Sequence, residues 1–76
     1  MNYKEAKQWL ESGKLTEVEV MRSPENKQHW FLMTRDQNKK CFMLVDDREK
    51  VQTYTSLDDA AMVVKNIGFK TVVIHI

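Results

Sequence analysis

The segment His29–Val45, HWFLMTRDQNKKCFMLV, consists of two apolar arms around a polar centre, the pattern of a β-hairpin. A strand with one face on a core and the other in water alternates apolar with polar residues, so arms that are apolar at nearly every position need cover on both sides. With DQNK as a four-residue loop, Arg35 stands opposite Lys40. The pairing then runs Thr34 with Cys41, Met33 with Phe42, Leu32 with Met43, Phe31 with Leu44 and Trp30 with Val45. In that register Phe31, Met33, Phe42 and Leu44 share one face, which Val18 and Val20 extend into a core. The opposite face holds Met21, Trp30, Leu32, Cys41, Met43, Val45 and Tyr54, with Glu17 and Glu19 at one margin. A slip of one residue exchanges the faces but leaves the excess of apolar residues.

The rest of the chain supplies the frame for this hairpin. Asn2 with Glu5 forms a capping box for a first helix, on which Tyr3, Ala6, Trp9 and Leu10 make one stripe before Gly13 stops it. LTEVEVMR alternates Val18 and Val20 against Glu17 and Glu19, which predicts a half-buried strand. The turn cluster SPENKQ joins it to the hairpin, and DDREK leads into VQTYT, a fourth strand or an extended lead-in. Ser56 with Asp58 and Asp59 starts a second helix striped by Leu57, Ala60, Ala61, Val64 and Ile67, which Gly68 ends. TVVIHI closes the chain as a β-branched strand, beside either the first strand or the fourth. The expectation is one α+β domain over residues 1–76, order αβββ(β)αβ, an antiparallel meander with helices on one face.

Composition narrows the function classes. At 76 residues, 42% hydrophobic and 30% charged, with two Gly and one Pro, this is an ordered domain too small for a deep pocket. Folding buries roughly 60% of the surface in a domain of this size, so association is an obvious remedy. The charged N-terminus MNYKEAKQWLESGK resembles neither a signal peptide nor a membrane span, and a single cysteine fits a reducing compartment. A cytoplasmic location, without a membrane partner, is therefore expected. Cys41 sits inside an apolar run and reads as a buried, inert thiol.

Catalytic, metal and cofactor signatures are not found in this sequence. The two glycines are spent on helix stops, so no phosphate-binding loop remains. His29 and His75 make no ligand spacing with Cys41, although His29 lands opposite Asp46 in the proposed register. Asp46–Asp47 and Asp58–Asp59 read as turn and helix-start chemistry. The leading expectation is a small non-enzymatic binding or accessory regulatory protein that self-associates, as a homodimer, and meets a protein partner. Its interface residues would be Met21, Trp30, Leu32, Met43, Val45 and Tyr54.

The second expectation is a nucleic-acid module. Trp30 and Tyr54 would stack bases, and Arg22, Lys27, Arg35, Lys39, Lys40, Arg48 and Lys50 would meet the backbone. Against it stand a net charge of only +1 and Glu17 and Glu19 on the same face. The element order is similar to that of double-stranded RNA-binding domains, but those use a basic start to the last helix, where this chain has SLDDAA. A weaker expectation is strand addition at TVVIHI, should it form a sheet edge.

Overall fold

A computed structural model describes residues 1–76. The chain runs α1 (Tyr3–Glu11), β1 (Leu15–Arg22), β2 (Trp30–Asp36), β3 (Cys41–Met43), β4 (Thr53–Tyr54), α2 (Leu57–Ile67) and β5 (Val73–Ile74). The sheet order is β3-β2-β1-β5, and β4 pairs with β2 ahead of β3 on the same edge. β1 to β3 form the expected antiparallel meander, β4 returns antiparallel to β2 instead of pairing with β3, and β5 joins β1 in parallel, so the α+β domain carries a mixed sheet.

Both helices begin where side chains satisfy their free N–H groups. Asn2 Oδ1 accepts from the Glu5 N–H at 2.8 Å, and Glu5 Oε1 accepts from the Asn2 N–H at 3.2 Å. Ser56 Oγ accepts from the Asp59 N–H at 3.1 Å, beside the two aspartates that suit the positive end of α2. Gly68 ends α2 at φ +116°, a conformation that side chains rarely adopt, with its N–H directed at the Val64 and Lys65 carbonyls. The helices cover one face of the sheet. Ala6 from α1 and Ala60, Val64 and Ile67 from α2 pack on Leu15, Val18, Val20, Trp30, Leu32 and Leu44.

The hairpin register differs by one residue from the sequence expectation. Asp36 and Lys40 form the last pair, the Asp36 N–H donating to the Lys40 carbonyl at 3.0 Å, which leaves a three-residue loop of Gln37, Asn38 and Lys39. Lys39 takes a left-handed conformation at φ +67° and donates its N–H to the Asp36 carbonyl at 3.1 Å, the geometry of a type I turn closed by a bulge. Asp36 Oδ1 accepts the N–H groups of Asn38 and Lys40 at 2.8 and 3.0 Å. The pairs are therefore Arg35 with Cys41, Thr34 with Phe42 and Met33 with Met43. This moves Trp30, Leu32 and Tyr54 under the helices and sends Phe31 and Met33 to the opposite face, reversing the expected assignments. Phe42 and Leu44 stay with the core.

The same turn recurs at residues 46–50. The Asp46 N–H donates to the Lys50 carbonyl at 2.7 Å, Glu49 sits at φ +62°, and Asp46 Oδ1 accepts from Arg48 and Lys50 at 2.8 and 3.0 Å. Those two N–H groups hold the Asp46 carboxyl below the usual aspartate range.

A non-glycine residue in the left-handed region costs roughly 1–2 kcal/mol, part of which glycine recovers after its own entropy loss. Lys39→Gly is therefore expected to raise stability by roughly 0.5–1 kcal/mol. Asp36→Ala is expected to lower it by about 1 kcal/mol through two lost hydrogen bonds. Urea denaturation of the two variants measures both, and stabilisation by Asp36→Ala would contradict the clamp.

Candidate functional site: the open face of the sheet

With both helices on one side, neither helix covers the other face of the sheet. Side chains alternate along each strand, so the residues that pair across strands stand in rows on that face. One row is Glu17, Arg35 and Cys41; the next is Val73, Glu19, Met33 and Met43; the third is Met21, Phe31 and Thr53. The face is charged at one end and apolar through its middle.

At the charged end the groups bind one another. Arg35 Nη1 pairs with Glu19 Oε2 and lies 3.9 Å from Glu17 Oε2, while Lys39 Nζ is 3.4 Å from Glu17 Oε1. His75 Nε2 meets Glu19 Oε1 at 2.8 Å, linking the segment after β5 to β1. The Glu19 side chain is only 14% exposed. Its hydrogen bond to His75, followed by the charge of Arg35, holds its carboxyl below the usual glutamate value against the opposing effect of burial.

In the middle of the face, Phe31 is 8% exposed and Met43 42% exposed. Together they floor an open groove of about 800 Å³ between the Ser23–His29 connection and residues 49–53, with Val51 as its other apolar wall. A smaller hollow of about 260 Å³ lies between the end of α1 and the β2–β3 loop. It has no apolar lining, and Gln37 bridges it with a bond to the Gly13 carbonyl.

Of the residues expected at an interface, Met21 and Met43 lie on this face. Trp30 and Leu32 are buried beneath the helices, and Tyr54 is half-buried there, its hydroxyl pushed up to about 12 by burial. Val45 is half-buried at the base of the second hairpin, bridged to Val51. Cys41, expected to be buried, is exposed, because β3 is an outer strand and this residue points to the face that the helices do not cover. His29 closes the β1–β2 connection, its carbonyl accepting the Ser23 N–H at 2.8 Å, and does not stand opposite Asp46.

The basic residues do not converge. The Arg22 guanidinium lies 4.4 Å over the Trp30 ring and donates to the Lys27 carbonyl. Arg35 and Lys39 are engaged by acids on the open face. Lys40 lies 5.3 Å from the Phe42 ring, on the helix side, while Arg48 and Lys50 belong to the second turn. Trp30, at 7% exposure, has no free ring face for a base.

The sequence reading missed Phe31, Met33, Val51 and Val73, and the cluster of Arg35, Glu19 and His75. Arg35 itself carried the missing signal, since it shares a strand face with Phe31 and Met33. No group of three or more His, Cys, Asp or Glu side chains is placed to hold a metal ion, and no helix is long and apolar enough to cross a membrane. No protein-family model, curated protein or solved structure matches the chain.

The Glu19 cluster sets a pH dependence. A carboxyl whose value is depressed on folding contributes stability above the ordinary glutamate value of 4.5, and that contribution is lost as pH falls through the lowered folded-state value. Glu19→Gln is expected to be less stable than the native protein near neutrality, with the difference shrinking below about pH 4.5. Urea midpoints across the acid range measure this, and a difference that does not vary with pH would contradict it.

Proposed function

We propose that this is a small non-enzymatic binding protein of accessory or regulatory type, which works through the open face of its sheet with a second copy of the chain as the occupant. The supporting observation is that Phe31, Met33, Met43 and Met21 stand on a face that neither helix covers. Met43 and Val73 are exposed there and Met21 and Met33 half-buried, and apolar side chains gathered on one such face usually mark an interface.

Charge favours a second copy as the occupant. Arg35, Lys39, Glu17 and Glu19 already form ion pairs within the chain, so stacking two such faces opposes neutral clusters and buries no unpaired charge. Methionine fits the same role, because its flexible side chain repacks against an identical surface. Size sets a further condition. A stable interface takes roughly 800 Å² per partner, and with extents of 33 × 26 × 22 Å the molecule reaches that only by using most of one broad face.

Sedimentation equilibrium from low to high micromolar concentration tests the reading. The native protein is expected to associate, and Met43→Glu to weaken that association at least tenfold with an unchanged circular dichroism spectrum, since each added charge is buried against a neutral apolar surface. Raising the salt leaves an apolar seam intact. A native protein that stays monomeric at high micromolar concentration overturns the proposal. Binding of a labelled oligonucleotide that fades steeply with salt would instead favour the nucleic-acid reading.

A further inference from the structure

The two edges of the sheet are finished differently. Beside β3 the edge is occupied: the Val45 N–H donates to the Met1 carbonyl at 2.9 Å, the Met1 amino group lies 3.4 Å from the Met43 carbonyl, and residues 44–52 fold back as a second hairpin. The β5 edge has no such cover. Val73 is 57% exposed and Ile76 96% exposed. β5 is short, but between Thr71 and Ile76 there is no lysine, acid or proline, residues that commonly blunt an edge strand.

The direction of the free backbone groups follows from the pairing with β1. Glu19 is in register with Val73 and Val20 with Ile74, and the His75 N–H donates to the Val20 carbonyl at 2.9 Å. In a parallel ladder alternate residues of one strand bond to the neighbour, so Val73 and His75 serve β1, while Ile74 turns its N–H and carbonyl outward. Val72 and Ile76 share that outward phase. The His75 ring is drawn back to Glu19 on the open face, clear of the edge.

We propose that this edge pairs antiparallel with the same edge of a second copy, about a two-fold axis at Ile74. Ile74 then faces the partner's Ile74 and exchanges two N–H···O bonds with it, while Val72 faces the partner's Ile76 and Val73 faces the partner's His75. Every outward backbone group from Val72 to Ile76 finds a counterpart in this register. The segment carries no lysine, arginine, aspartate or glutamate, so its self-pairing opposes no like-charged side chains of those types, and the β-branched residues favour one another across strands. The product is one continuous ten-stranded sheet with both helical layers on the same side. It does not rest on stacking of the open faces. Where both contacts form, the edge axis is perpendicular to the sheet and the stacking axis lies parallel to it, and the two close on four chains only where the axes intersect.

Amide hydrogen exchange at Ile74, followed against protein concentration, tests the edge directly, because this amide has no partner within the chain. Protection is expected to rise at least about tenfold between dilute and concentrated protein, and to persist in Met43→Glu, which impairs only the stacked face. Ile74→Pro deletes the outward N–H while leaving Val73 and His75 to pair with β1, and is expected to halve the mass of the assembly. Should Ile74→Pro fail to fold, Ile76→Lys alters only an exposed side chain and is expected to weaken association at least tenfold. An Ile74 amide that exchanges at the free rate in concentrated protein, or an assembly mass unchanged by a folded Ile74→Pro or Ile76→Lys, overturns the proposal.

Discussion

One carboxylate decides which way β3 faces relative to β2. Asp36 Oδ1 accepts two backbone N–H groups inside its own turn, which holds the β2–β3 loop at three residues and stabilises Lys39 in a left-handed conformation. A loop one residue longer would turn every side chain of β3 to the other face. The placement of Phe42 beside Trp9, at 5.2 Å between ring centroids, and of Leu44 under the helices follows from that count.

The register is also the one that charge permits. Ahead of the turn residue Asp36, each face of β2 carries one polar residue: Thr34 accompanies Trp30 and Leu32, and Arg35 accompanies Phe31 and Met33. Thr34 is nearly inaccessible, yet its hydroxyl donates to the Phe42 carbonyl at 2.8 Å, so its burial costs little. Arg35 beneath the helices would be a buried charge far from Glu17 and Glu19, a penalty of several kcal/mol. The helices therefore settle on the less polar of two apolar faces. Phe31, Met33 and Met43 on the other face go without helix cover, beside an ion cluster whose charges pair with one another.

Much of this was legible in the sequence. The caps at Asn2 and Ser56, the helix stop at Gly68, the order of elements and the inward positions of Val18 and Val20 all follow from local chemistry, which depends on residues a few positions apart. The hairpin faces were not legible from loop length, because DQNK reads equally as four loop residues or as three residues closed by an aspartate clamp and a left-handed lysine. Following Arg35 along its strand would have corrected this. The parallel pairing of β5 with β1 depends on contacts between residues more than fifty positions apart, and no local pattern encodes it.

Both tryptophans lie on the helical side of the sheet, Trp30 under Arg22 and Trp9 against Phe42 and Lys14. Their emission consequently reports on whether the protein is folded and is nearly blind to whatever settles on the opposite face. That face instead carries Met21, Met33 and Met43, three of the five methionines in the chain. Labelled methionine methyl groups therefore give the molecule two separate spectroscopic windows, one for the integrity of its core and one for the occupancy of its surface.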